Sequence, residues 1–330
     1  MIKPFFKNKQ AIVFSVDNNI HELFTVALMS LVKHTEYKNN YDVVVIQKNL
    51  KEENKESYKK LVQNKDNISL RFLDITPVIS KYDSNIFHTY GYYTEAAYYR
   101  LFIPELFKEY EKIAYLDSDT SIHFDIAKLF EINLEDKYIC ATKDIGFQFA
   151  LHTNCQDSTK LIEYMKENKL GLKDYNNYFQ SAMIIFDIKK IKNLNLVEKA
   201  IEELKRVGKP LFVEQCILNK IYENHVKFIS YKYNYNVTWC DKMPLSVFFK
   251  LPFAIQTDLF LSKINPRIIH YTYRRPWQYS KPYKNHKQFF KIVKTLNMTK
   301  EITALEMASI KRGDYIFARK IQTLIYILFN

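Results

Sequence analysis

Asp117 and Asp119 stand two residues apart in the stretch 115–120 (YLDSDT), directly after the apolar run 113–116. Carboxylates at i and i+2 point to one face of an extended segment and, in a tight loop, converge on one ion. Oxygen ligands of this kind suit Mg²⁺ or Mn²⁺, and such an ion keeps positions for phosphate oxygens. It would neutralise a diphosphate and stabilise charge on a departing one. Far along the chain, residues 270–277 read HYTYRRPW. His270 follows an apolar stretch, so its imidazole can complete a cation shell, while Arg274 and Arg275 have the donors to clamp phosphates. Each feature also has a plain reading. A D-x-D pair alone serves as solvated turn or capping residues, His270 alone as a structural histidine, and the two arginines alone as surface charge.

These residues need elements to position them. Residues 11–16 (AIVFSV) form a continuous apolar run ending at Asp17, the pattern of a buried strand. Residues 22–33 have helical periodicity, 41–46 (YDVVVI) read as a second strand, 51–63 as a solvated helix and 68–72 as a third strand. The alternation predicts a mostly parallel sheet covered by helices. Residues 94–106 (TEAAYYRLFIPEL) are expected to be helical at their start, with Pro104 disturbing the end, before another strand at 113–116. The two carboxylates then lie past the C-terminal end of a strand, the edge at which open α/β sheets place ligands. Asp17 ends the first strand in the same way. Further strands are expected at 138–142, 178–188 and 267–271, and helices at 196–207 and 212–221. The stretch after 142 reads as poorly periodic, and 241–261 as irregular and rich in aromatics.

Composition narrows the function classes. With 330 residues and 47% apolar content, the chain can bury a substantial core in one large domain or a domain with an added lobe. It has only 5 glycines, and none forms G-x-G-x-x-G or a Walker loop, so any nucleotide is held in another way. Its 4 cysteines include no C-x-x-C pair, which argues against a zinc site or a disulfide scaffold. The apolar stretch near the N-terminus is too short for a signal peptide, and no run of 18 apolar residues occurs, so a cytoplasmic protein is expected. The net charge is +13, and residues 281–330 hold ten Lys or Arg against three Asp or Glu, a net +7. Residues 316–329 (IFARKIQTLIYILF) combine apolar and basic residues, the pattern of a segment lying peripherally on an anionic membrane surface. Nucleic acid is not expected, since no recognised binding motif accompanies the charge.

Four blocks carry a family resemblance: AIVFSVDNN at 11–19, TEAAYYRLFIPELF with IAYLDSDT within 94–120, YFQSAMIIFDIKK at 178–190, and EQCILN with HYTYRRPW at 214–219 and 270–277. In this order and spacing the chain resembles family 8 glycosyltransferases, retaining enzymes of the GT-A fold that use nucleotide sugars. The resemblance implies a Rossmann-like α/β catalytic domain over residues 1–280, followed by a basic, partly amphipathic extension at 281–330. It matches Asp117 and Asp119 to the metal-binding D-x-D and His270 to the third ligand, with Mn²⁺ the usual ion, Mg²⁺ an alternative and a UDP-sugar the usual donor. Asp17 and Asn19 match positions that hold uridine, Arg100 an arginine that contacts the donor's phosphate and sugar, and Ser118 a position near the ribose. Gln180 and Ser181 fall in the block that lines the donor sugar. Glu214 and Gln215 match an Asp-Gln pair at the reacting face.

The implied reaction moves a hexose, glucose or galactose, from UDP to a hydroxyl of a bacterial surface glycan or lipopolysaccharide acceptor. Because a neutral amide is a poor nucleophile, Gln215 argues for same-face attack over a covalent intermediate. The chain departs from the family at several places. Gln180 and Ala182 stand where Asn and Gly are usual, Glu214 where Asp is common, Tyr273 where Gly is usual, Arg275 where Lys is usual, and Ile20 where an aromatic is frequent. These departures bear on the donor sugar more than on the reaction. Two alternatives are a non-catalytic nucleotide-sugar-binding protein on the same fold and a phosphatase with an aspartate nucleophile, since DSDTS also resembles the D-x-D-x-T motif.

Overall fold

The apolar runs early in the chain become β1 (Gln10–Ser15), β2 (Tyr41–Gln47), β3 (Ile68–Asp74) and β4 (Lys112–Leu116). The computed structural model describes residues 1–313 apart from 92, 154–155, 167–168, 242 and 280–283. The first four strands pair in parallel in the order β3-β2-β1-β4, with Val13 between Val44 and Tyr115. The remaining strands are β5 (Thr120–Ile122), β6 (Ile139–Lys143), β7 (Phe179–Asp187), β8 (Val226–Phe228), β9 (Tyr235–Asn236) and β10 (Ile268–His270). β7, β6 and β8 extend the sheet beyond β4, and β7 runs antiparallel to both of its neighbours. The sheet is therefore mainly parallel, as expected.

Alternation along the strands fills two cores. Ala11, Val13, Ile113 and Tyr115 face one, while Ile12, Phe14, Ala114 and Leu116 face the other. A sheet covered on both faces offers ligands its edge, not its surface. β1 has β2 on one side and β4 on the other, so the connections leaving β1 and β4 diverge and open a crevice at their C-terminal ends. A second sheet has the order β5-β10-β9, and its β5 follows β4 directly in the chain. In it His270 pairs with Thr120 on one side and Asn236 on the other, which brings residue 270 beside the D-x-D loop.

Three local expectations are corrected. Residues 94–106 form a 3₁₀ helix (Glu95–Phe102) followed by a short α-helix (Ile103–Leu106). Pro104 lies in the first turn of the latter, where its missing N–H costs nothing, so it starts an element and does not spoil one. The stretch after 142 holds two helices, Ile145–Thr153 and Gln156–Met165, and much of the segment expected to be irregular is the helix Phe253–Ile264. At the far end, helices His286–Thr295 and Thr299–Arg312 send Phe289, Ile292, Val293 and Ile302 into a core shared with Leu23, Tyr271 and Trp277. The expected membrane-surface segment 316–329 lies outside the described residues. Among the described residues, no helix is long and apolar enough to cross a membrane.

Candidate active site

The crevice is lined by Ser15 and Asp17 after β1, by Asp117, Ser118 and Asp119 after β4, and by Gln180 and Ser181 at the start of β7. Glu214, Gln215, Arg100 and His270 complete its floor and walls. Residues distant in sequence meet here because β1, β4 and β6 end at the edge where antiparallel β7 begins.

Asp117 starts the loop after β4, its amide donating to the Ala182 carbonyl at 2.8 Å. Its Oδ1 accepts from Arg100 Nη2 at 2.6 Å and from the Tyr115 hydroxyl at 3.0 Å. That leaves Oδ2 turned toward His270 Nε2, 3.9 Å away. Asp119 Oδ1 lies 3.2 Å from the same nitrogen, and Tyr271 N donates to the Asp119 carbonyl. One ligand atom from each of Asp117, Asp119 and His270 falls within 4.8 Å of the others. Two hard oxygens and an imidazole nitrogen at this spacing fit a divalent cation such as Mn²⁺. Burial works to lower the His270 pKa, but the charges of Asp119 and Asp117 and the hydrogen bond to Asp119 outweigh it and raise the value. Burial works to raise the Asp119 pKa, and His270 reverses the direction.

Arg100 is the brace beneath this group. Its Nη1 donates to the Ser181 carbonyl (2.8 Å) and hydroxyl (3.1 Å), and its Nε to the Ala97 carbonyl (3.1 Å). Nε also lies 3.3 Å from Glu214 Oε1, and the guanidinium sits 4.4 Å from the centroid of the Tyr115 ring. Its donors are thus largely spent on protein. Glu214 Oε1 accepts from the Ser181 hydroxyl at 3.1 Å, whereas Glu214 Oε2 is buried with no hydrogen-bond partner. Burial pushes the Glu214 carboxyl up to about 7, against the pull of Arg100. The negative charge of Asp117 pushes in the same direction as burial. Gln215 is pinned at both ends, Oε1 accepting from Ser181 N (3.0 Å) and Nε2 donating to Asp144 (3.0 Å). Backbone strain marks this corner, since buried Val213 begins its helix at φ 39°, unusual for a β-branched residue.

Toward the other end, Asp17 Oδ1 accepts from Asn19 N at 2.8 Å, and the Ser118 hydroxyl donates to the Ser15 carbonyl at 2.6 Å. Three expected residues fall outside the crevice lining: Asn19, Arg274 and Arg275. Arg275 Nη2 instead donates to the Asn19 carbonyl at 2.8 Å, tying the 272–278 loop to the loop after β1. Ile20 and Tyr273 take the lining positions. Tyr273 has φ 70°, the left-handed conformation in which glycine is the usual residue.

The crevice also uses residues that the sequence reading missed. Asp144 follows β6 just as Asp17 and Asp117 follow their strands, so the same signal would have found it. Asn234 has no such signature: its Oδ1 lies 3.1 Å from His270 Nδ1 because β9, which it precedes, pairs with β10.

A model of glycosyl transferase family 8 matches residues 11–281. The chain belongs to glycosyl transferase family 8. A putative glycosyltransferase of Haemophilus influenzae is 26% identical over 247 residues, covering 72% of this chain and 69% of its own. Among solved structures, the bifunctional WbbM glycosyltransferase superposes with a TM-score of 0.78 at 26% identity. That match covers 93% of this chain but 53% of WbbM, so the chain spans about half of that protein. Galactosyltransferase LgtC, solved with donor and acceptor sugar analogues, superposes at 0.63 with 18% identity, covering 86% of this chain and 95% of its own, and shares the fold. The protein is a glycosyltransferase with a GT-A-type fold, and nothing in the family match favours the phosphatase alternative.

Proposed function

We propose that this family 8 enzyme transfers a hexose, glucose or galactose, from a UDP-sugar to a hydroxyl of a surface-glycan or lipopolysaccharide acceptor, with retention. The observation that carries the reading is the convergence of Asp117, Asp119 and His270 in the crevice that also holds Glu214 and Gln215. In this reading the three side chains hold Mn²⁺ (or Mg²⁺), and the bound cation neutralises the pyrophosphate and the departing charge. Arg100 and Tyr115 grip one oxygen of Asp117, so that its other oxygen is presented without reorganisation. Asp17 spends one oxygen on Asn19 and keeps the other for a uracil edge, while the Ser118 hydroxyl, donating to the Ser15 carbonyl, would accept from the ribose.

At the reacting end, the bare Glu214 Oε2 is placed to accept from a hydroxyl of the donor sugar or acceptor. Gln215, neutral and pinned at both ends, orients this wall and does not attack. The acceptor oxygen bonds to the anomeric carbon on the face that UDP leaves, the carbon–phosphate oxygen bond breaks, and the departing phosphate oxygen takes the acceptor proton. The test is UDP release from UDP-glucose and UDP-galactose with Mn²⁺. Release should vanish with EDTA and fall about 10²-fold or more in Asp119→Asn. Release that ignores both treatments would overturn the cation site, and a glycosyl adduct trapped on Glu214 or Gln215 would overturn same-face attack.

A further inference from the structure

An imidazole binds a cation through a bare nitrogen, so His270 serves only if Nε2 is the bare one. A chain of polar contacts, starting at a backbone amide, decides this. Ala182 N donates to the Gln180 side chain at 2.8 Å. A peptide N–H is always a donor, so the Gln180 atom it meets is the carbonyl oxygen. That oxygen lies 2.6 Å from the Asn234 amide, which must therefore offer its nitrogen there. The same nitrogen donates to Thr142 Oγ1 at 3.2 Å. Asn234 Oδ1 is left facing His270 Nδ1 at 3.1 Å, and an amide oxygen only accepts. Nδ1 therefore carries the hydrogen. In the neutral ring the lone pair is on Nε2, the nitrogen turned toward Asp119 and Asp117. Thr142, Asn234 and His270 are all buried, so water does not compete for these contacts.

We propose that Asn234, oriented by Ala182 and Gln180, is a positioning residue that locks His270 in the Nδ1–H tautomer and keeps Nε2 open to a divalent cation. The proposal rests on the reading of Asp117, Asp119 and His270 as a cation site. It gives Gln180 two duties, since a residue lining the crevice also sets the polarity of the histidine across it. The relay also explains how buried Asn234 has partners for both ends of its amide.

Two measurements test it. The first is ¹⁵N-histidine NMR of the metal-free wild type, at a pH where the ring is neutral. It should show His270 as the Nδ1–H tautomer, and the Nε2–H tautomer would overturn the relay. The second is calorimetric titration of Mn²⁺ into the wild type, Asn234→Ala and Asn234→Asp. Asn234→Ala should weaken Mn²⁺ binding by about 10–100-fold, whereas Asn234→Asp, which still accepts from Nδ1–H but no longer donates to Gln180, should recover part of that loss. Wild-type affinity in Asn234→Ala would overturn the proposal. A merely structural role predicts no rescue by Asp, so equal weakening in both variants would also overturn it. A wild type that binds no Mn²⁺ would sink the cation site itself, and the tautomer would still be read independently.

Discussion

Burial pushes the Glu214 carboxyl up to about 7, so its protonation state changes across the physiological range. The folded value is above the ordinary 4.5, which fixes the sign. The stability contribution is complete below pH 4.5 and is lost as pH rises through about 7, with up to about 3 kcal/mol at stake. Urea unfolding of the metal-free protein should show the wild type losing stability relative to Glu214→Gln between pH 5 and pH 8, and parallel curves would contradict this. Arg100 is a different case, because its charge is needed by two acids and its fork by three elements. Arg100→Lys keeps the charge and loses the fork, so Asp117 shifts and UDP-sugar turnover should fall about 10²-fold. Turnover near the wild-type value would show that Asp117 needs only the charge. His270, with its pKa raised by Asp119 and Asp117, must shed a proton to bind a cation, so Mn²⁺ affinity should weaken as pH falls. Affinity independent of pH would contradict that assignment.

Among the elements, Ile145–Thr153 carries a local test. A Cβ on Gly146 would sit 2.8 Å from the Trp239 ring, a rigid neighbour. Gly146→Ala should therefore cost about 1–3 kcal/mol in thermal or urea unfolding. Asp144, which holds Gln215, stands two residues earlier, so turnover should fall as well. An unchanged midpoint would mean that Trp239 gives way. This helix was illegible in the sequence because IGFQFALHT is apolar almost all round and shows no face. The helix Phe253–Ile264 was hidden for the opposite reason, since Phe253, Phe260, Leu261 and Ile264 are exposed and the pattern does not report burial. β1, β2 and β4 were legible because a strand buried on both faces is a continuous apolar run. β9 is two residues long and offers no pattern, so Asn234 beside it stayed unread. At the site, Asp117, Asp119 and His270 were visible as residue types suited to one ion. That Arg275 reaches the Asn19 carbonyl and not the crevice depends on a loop conformation that residue types do not encode.

For the molecule as a whole, the helices spanning 286–312 are not a detachable tail. Phe289 is fully buried against Tyr271 and Trp277, and Tyr271 adjoins His270. Phe289→Ala should cost about 3–5 kcal/mol in chemical denaturation. It should also weaken Mn²⁺ binding, because the cavity opens beside the strand that carries His270. A loss below about 1 kcal/mol would mean that the two helices 286–312 contribute little to the core. The same geometry decides how the basic extension should be truncated. A cut near 281 removes core side chains together with charge, so membrane binding is tested with a cut after 313. Asp117, Asp119 and His270 meet where the edge of the main sheet adjoins the small sheet, and a crystal structure of the protein with Mn²⁺ and UDP shows whether they hold a cation there. One cation should be bound by a carboxylate oxygen of each of Asp117 and Asp119, by His270 Nε2 and by pyrophosphate oxygens, at about 2.0–2.3 Å. A cation held elsewhere, with these three side chains unliganded, would contradict it.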